Sequence, residues 1–501
     1  MRTNAKKRRR ALGATLAGLM LAAYSIGGCE PAAAEMAIRV TVPVLTVTPR
    51  VRVPTRTYVP SVGARVGIRG RPIWTGRQIG NSDRPYVRNG GIAVPVPGGT
   101  GPGTPGISGS AGGNGRGGLP PPGEQRFVPD EVIVEFSSRA SPRAIGLVTR
   151  RYNLTQLESQ RFPLIGATLV RWHVGGGRSV RSVIAALQNQ GIVASAQPNY
   201  LFGLQDDVRQ PAAAAQGDPS QYVLGKLQVE AAQQIATGKD VPVAVIDSEI
   251  DAKHPDLGGS IAKSFDALSG DDAPQLHGTE MAGAIASHGK LLGIAPGVEL
   301  LAARAFDGRS NGTSFAIYKS LQWAADNGAR IVNMSFAGPV DPTLHRMLTA
   351  AFAKNIVLVA AAGNAGPQSP PLYPAADPDV IAVSATDIDD HVFKMANRGQ
   401  YITIAAPGVA IIALAPGDAY QITTGTSVAA AHVSAIAALL LQHDPVLKPA
   451  DIRSILTSTA KPLEAPDASR KPDPGLVNAY RALMSPVKAA GTEVSGEQAK
   501  R

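Results

Sequence analysis

From residue 222 to about 484, short apolar runs alternate with longer stretches whose apolar positions recur at helical spacing. Runs at 241–246, 300–305, 331–334, 356–361 and 380–384 predict strands, and stretches at 277–287, 315–327, 342–354, 427–442 and 450–459 predict helices. Such alternation argues for an α/β fold, a parallel sheet with helices on both faces. A smaller set precedes it. Residues 132–136, 156–162, 167–174 and 193–200 predict four strands. Ser141-Pro142 supplies an N-cap and a first-position proline, opening a helix towards Tyr152. Ser179 caps a second helix, in which Val180, Val183, Ile184 and Leu187 keep the i, i+3, i+4, i+7 spacing.

Candidate chemistry gathers at the ends of these elements. Ser427 follows Gly425-Thr426 and opens the apolar run 428–441. A serine there serves either as an N-cap or as a nucleophile, since the free N–H groups and positive end of the helix favour the charge formed in acyl transfer. Two upstream stretches favour the nucleophile. The run Val243-Ala244-Val245-Ile246 ends on Asp247, and His277 opens a small-residue helix. Acyl transfer by serine needs a base for the hydroxyl proton and a carboxylate to orient that base. All three are present in the order Asp, His, Ser, the subtilisin order rather than that of chymotrypsin or the α/β-hydrolases. The other histidines show no metal spacing, and 283–290 fails as a phosphate loop because Leu291 follows the lysine where Ser or Thr is needed.

The segments Val245-Ile246-Asp247-Ser248, His277-Gly278-Thr279 and Gly425-Thr426-Ser427 resemble the three active-site signatures of the subtilisin-like serine proteases. Ala360-Ala361-Ala362-Gly363-Asn364 resembles that family's oxyanion-hole stretch, and Asn333-Met334-Ser335-Phe336 the strand lining its substrate groove. The resemblance implies catalysis by Asp247, His277 and Ser427, with Asn364 and the Ser427 N–H stabilising the oxyanion. Polypeptide substrate would add as a strand along Ser335-Phe336-Ala337. No cofactor and no metal are expected. Leu372 falls where many relatives have a small residue at the floor of the first specificity pocket, so a preference for small residues is expected. The segment 287–293 is shorter than a calcium-wrapping loop of many relatives, so no calcium is expected there, with Asp256 left as a weak ligand elsewhere. Glu249, Glu280 and Ala431 depart from the family pattern without removing a reacting group; Glu280 fits an N-terminal acid or capping partner. An inactive relative that holds extended peptides remains the alternative.

The smaller set has the order β-α-β-β-α-β, which is ferredoxin-like. Standing before a subtilase-like region and ending in Gln197-Pro198-Asn199-Tyr200, it resembles the family's propeptide domain, a folding assistant and inhibitor acting in cis; an unrelated accessory module is the other reading. Activation would need a cut between Leu204 and Gln216, and Pro211-Ala212-Ala213-Ala214-Ala215 is a candidate.

Charge and cysteine usage bear on the N-terminus. Residues 1–125 hold 17 Lys/Arg against 4 Asp/Glu, +13, leaving 32 against 34, or −2, for the rest of the +11 chain. The basic excess lies outside the globular part, so no nucleic-acid partner is expected. A basic stretch at 6–10 before an apolar 11–28 predicts an export signal, or alternatively a retained anchor. The single cysteine, Cys29, ends a lipobox-like Ile26-Gly27-Gly28-Cys29, which implies lipidation and a membrane tether; cleavage after Ala34 would discard it. The expected organisation is a signal at 1–28, an Arg/Pro/Gly-rich linker at 29–125, a propeptide-like domain at 126–205, a peptidase domain at 206–485 and a tail at 486–501. The location would be extracytoplasmic, lipid-anchored at the envelope or secreted.

Overall fold

The computed structural model describes residues 118–205, 221–270, 273–463 and 474–486. The expected signal, Cys29, nearly all of the linker, the 211–215 candidate and nearly all of the tail lie outside the described residues.

The N-terminal set forms β1 (Phe127–Phe136), α1 (Pro142–Tyr152), β2 (Leu154–Phe162), β3 (Ala167–Val174), α2 (Val180–Gln188) and β4 (Val193–Leu204). Its strands pair antiparallel in the order β4-β1-β3-β2. Both expected caps are made: Ser141 accepts the Ala144 N–H and Ser179 the Ser182 N–H, each at 3.2 Å. The period of two along β1 sorts its side chains. Val132 and Val134 turn towards α1 and α2, joining Tyr152, Trp172, Ile184 and Leu187. Ile133 turns the other way, into a core shared with the larger module.

The larger module runs α3 (Tyr222–Lys226), α4 (Val229–Gln233), β5 (Pro242–Asp247), β6 (Ile261–Asp266), α5 (Leu276–Ala286), β7 (Glu299–Arg304), β8 (Asn311–Thr313), α6 (Ser314–Asp326), β9 (Ile331–Met334), β10 (Phe336–Ala337), α7 (Pro342–Ala353), β11 (Val357–Ala361), β12 (Ile381–Thr386), β13 (Ile404–Pro407), β14 (Ile411–Ala415), β15 (Ala419–Thr423), α8 (Thr426–His443), α9 (Pro449–Ser458) and α10 (Ala479–Leu483). Seven strands form a parallel sheet in the order β13-β12-β11-β9-β5-β7-β6. Alternation again assigns the faces. Val243, Val245, Val357, Val359 and Val383 meet α5 and α8, while Ala244, Ile246, Val332, Leu358 and Ala360 meet α6 and α7. Strands β5, β9, β11 and β12 are therefore covered on both faces, which is why their runs are apolar throughout.

Helix α8 is apolar on every side and buried from Thr426 to Leu441. By length and composition it could cross a membrane, but 89% of that window is buried inside the protein. Its alanines let it lie close against β11 and β12.

The propeptide-like sheet sits on the α6 and α7 side. Phe162 meets Phe315 and Tyr318 edge-on, with centroids 5.8 and 6.2 Å away. Asn199 Oδ1 accepts the Phe315 N–H at 3.2 Å, and Gln197 Oε1 accepts the Thr343 N–H at 3.3 Å and hydroxyl at 2.6 Å. The smaller module thus supplies the acceptor for a free N–H at the start of α6, while at α7 the Thr343 N–H is shared with the helix's own N-cap, Asp341, at 3.0 Å. Glu135 pairs with Arg346 at 2.7 Å and Glu158 with Lys319 at 2.8 Å.

Candidate active site

In open parallel sheets, reactive groups collect beyond the carboxyl ends of the strands. Asp247 is the last residue of the interior strand β5, fully buried. Its Oδ1 accepts the Ser248 N–H at 2.7 Å and the His277 Nδ1–H at 2.8 Å. Because a carboxylate only accepts, this bond sets the imidazole tautomer and leaves Nε2 as the basic nitrogen. Gly278 makes the close approach of α5 feasible, since a side chain there would strike the Ser248 carbonyl.

Ser427, at the first turn of α8, donates through Oγ to the carbonyl oxygens of Gln205 at 3.0 Å and Ser335 at 3.4 Å. Among the described residues there is no Ser427–His277 hydrogen bond. The single hydroxyl proton is directed instead at carbonyls, one of them on the strand that fills the cleft. Helices α5 and α8, which carry the two residues, pack directly together.

Asn364 follows Gly363, whose φ of +106° and contacts with Asn397 and Leu372 leave no room for a side chain. Asn364 Oδ1 accepts the N–H of Thr426 at 3.0 Å and its hydroxyl at 2.9 Å, which turns Nδ2 the other way. Nδ2 donates to the Gln205 carbonyl oxygen at 3.3 Å. One backbone oxygen therefore meets both the serine hydroxyl and the asparagine amide.

That oxygen belongs to the end of β4. Strand β4 lies between β10, with Phe336 opposite Leu204 and Ala337 opposite Gly203, and β8, with Gly312 opposite Phe202. The Gln205 N–H reaches Ser335 O at 3.3 Å. The groove at Ser335, Phe336 and Ala337 is thus filled by an added strand from the same chain. Phe202 sits edge-on to Phe336 at 5.9 Å, above Gly338. Leu372 is buried beside Gly363. The Gln205 side chain bends back, its Oε1 accepting the Asn364 N–H at 3.0 Å and its Nε2 donating to Gly203 O at 3.2 Å.

Glu280 is not a capping residue. Helix α5 begins at Leu276, so Glu280 lies past its first turn, buried, with Oε1 accepting from Gln421 Nε2 at 2.6 Å. Asp256 accepts the Leu291 N–H at 2.8 Å and the Tyr420 hydroxyl at 3.2 Å. Burial opposes its ionisation, but the N–H bonds from Leu291 and Lys290 and the Tyr420 hydroxyl outweigh it and hold the carboxyl below its usual range. His432 is buried with Nδ1 on Pro407 O at 2.9 Å, and burial pushes its pKa down to about 4. His391 departs from the expectation of no metal-like grouping: Asp387, Asp389 and His391 converge within 4.8 Å in a mostly exposed loop.

The subtilase family profile matches residues 238–482, and that of the fervidolysin N-terminal prodomain matches residues 115–199. A thermophilic serine proteinase of Bacillus sp. (strain AK1) is 31% identical over 378 residues, which cover 71% of this chain and 88% of that protein. Thermitase of Thermoactinomyces vulgaris is 34% identical over 272 residues, 53% of this chain and 96% of thermitase. In fold, the chain is similar to fervidolysin from Fervidobacterium pennivorans, with a TM-score of 0.64 at 24% identity over 75% of this chain and 64% of that one. The chain belongs to the subtilase family. It is a subtilisin-like serine endopeptidase made with an N-terminal propeptide, and its kinship is consistent with an extracytoplasmic location.

Proposed function

We propose that Ser427, His277 and Asp247 hydrolyse peptide bonds through an acyl-enzyme, and that the first bond cut is the chain's own Gln205–Asp206. The observation that carries this reading is the Gln205 carbonyl oxygen, held by Ser427 Oγ at 3.0 Å and Asn364 Nδ2 at 3.3 Å. His277 Nε2 takes the Ser427 proton as Oγ bonds to the carbonyl carbon. Asp247, buried beside the ring, stabilises the imidazolium. Negative charge on the carbonyl oxygen meets the Asn364 amide and the Ser427 N–H. The C–N bond then breaks, the imidazolium protonates the departing amine, and water releases the acyl group by the same steps in reverse.

Residues 126–205 would then form a ferredoxin-like inhibitor domain and 206–485 the peptidase. The strand order β4-β1-β3-β2 and the hydrogen bonds from the starts of α6 and α7 to Asn199 and Gln197 support that division. Later substrates would replace residues 201–205 along Ser335, Phe336 and Ala337, with Leu372 shaping the first pocket. Lipidation of Cys29 would hold the enzyme at the envelope, which rests on the lipobox-like sequence alone.

The test is hydrolysis of casein or a peptide amide beside Ser427→Ala, with fluorophosphonate labelling of both. Labelling and hydrolysis confined to the Ser427 protein support the proposal. A folded wild type that takes up no label would instead be a peptide-holding relative.

A further inference from the structure

Beneath the nucleophile runs a line of side-chain hydrogen bonds that the hydrolytic steps do not use. Ser434 Oγ on α8 donates to Asn333 Oδ1 at 2.9 Å. Asn333 Nδ2 on β9 donates to Ser335 Oγ at 2.9 Å, and Ser335 Oγ donates to the backbone carbonyl of Ser427 at 3.1 Å. Asn333, Ser335 and Ser434 are fully buried, so no solvent substitutes for a lost partner.

The direction of the line is set by the Ser427 carbonyl, which only accepts. Each hydroxyl has one proton. Because Ser335 gives its proton to Ser427 O, Asn333 faces Ser335 with its NH₂, and its Oδ1 is held in that sense by the Ser434 proton. A reversed amide would present oxygen to Ser335, draw that proton away and release the Ser427 carbonyl. The backbone of Ser335 meanwhile accepts the Gln205 N–H at 3.3 Å. One residue thus touches the nucleophile's backbone with its hydroxyl and the substrate strand with its carbonyl, and Asn333 orients the hydroxyl.

We infer that Asn333 is a positioning residue for acyl transfer, fixing through Ser335 the register between Ser427 and the bound strand. The inference rests on the hydrolytic reading of Ser427. Asn333 touches neither reacting atom, and the Ser335 carbonyl that binds substrate does not depend on it. Its loss therefore appears in turnover rather than in substrate affinity, since misplacement by about 1 Å can cost about 10²-fold.

The experiment compares wild type, Asn333→Leu, Ser434→Ala and the double variant on a peptide amide, with melting temperatures taken in the Ser427→Ala background. We expect kcat to fall about 10–100-fold in Asn333→Leu, with KM within about threefold. Ser434→Ala should lose about 3–10-fold in kcat, and the double variant should be no worse than Asn333→Leu, because both changes break one line. A folded Asn333→Leu with unchanged kcat, a loss carried by KM, or additive losses would overturn the inference. If Asn333→Leu does not fold, the kcat and KM of Ser434→Ala decide by the same criterion. Wild-type hydrolysis that disappears in Ser427→Ala separates the two readings: an idle wild type defeats both, whereas active Asn333 and Ser434 variants defeat only this one.

Discussion

The carbonyl oxygen of Gln205 lies 3.0 Å from the hydroxyl of Ser427, although 222 positions of chain separate them. Strand β4 carries the propeptide-like module on one side and ends in the cleft, so the groove is occupied by a segment of that module. Ser335 O and Asn364 Nδ2 meet its backbone, while the Asn364 N–H meets the side chain of Gln205. Any extended peptide with a suitable residue at the Leu372 pocket should fit the same rails once the strand leaves.

Asn364 should matter in the transition state more than in binding. Its amide reaches the carbonyl oxygen at a long 3.3 Å, a distance that shortens as charge develops. For Asn364→Ala we expect kcat on a peptide amide to fall about 10²–10³-fold, with little change in KM. A KM effect alone would assign Asn364 to ground-state binding.

Release of the cut propeptide should depend on the hydrogen bonds that join it to α6 and α7. Asn199 accepts the Phe315 N–H of α6 and Gln197 the Thr343 hydroxyl of α7, and a lost hydrogen bond typically costs about 1 kcal/mol, or about fivefold in affinity. Gln197→Ala and Asn199→Ala should each shorten the lag before activity appears after self-cleavage. An unchanged lag in both would place the restraint elsewhere, for instance at Glu135–Arg346.

Leu372 should narrow the first pocket. In a peptide panel we expect cleavage after Ala to exceed cleavage after Phe, and Leu372→Gly to raise the Phe-to-Ala ratio by about tenfold or more. Wild-type cleavage after Phe as good as after Ala would remove Leu372 from the pocket floor.

His432 gives an acid limit to stability. Its folded pKa of about 4 lies below the ordinary 6.5, because burial disfavours the charged ring. The unfolded chain therefore binds the proton first. The stability from neutral His432 is fully present above about pH 6.5 and is lost as pH falls towards 4, by about 3 kcal/mol in all. In the Ser427→Ala background, His432→Gln should flatten the fall in unfolding free energy between pH 7 and 4.5 by about 2 kcal/mol. An equal slope in both proteins would contradict this.

Much of the architecture was legible because buried strands and capped helices carry local signals. Strand β9 has its expected bounds, and α7 begins at the expected Pro342. Strand β6 escaped because it is an edge strand whose Lys263 and Ser264 face solvent, and β13 because four residues containing two alanines and a proline give no pattern. Glu280 was misread since α5 starts one residue early and has no side-chain cap, which turns that acid inward to Gln421. The places of Asp247, His277, Ser427 and Asn364 at strand and helix ends were readable from short motifs, because each is a local signal. Gln205 was not, because its place depends on a whole module docking on α6 and α7, a relation that leaves no mark within a few residues.

The most direct test is the N-terminus of the matured enzyme, read by intact-mass and N-terminal analysis beside Ser427→Ala. We predict a peptidase chain beginning at Asp206 from the wild type and an uncut precursor from the variant. A first cut elsewhere, such as within 211–215, or normal cutting without the Ser427 hydroxyl, would contradict the account.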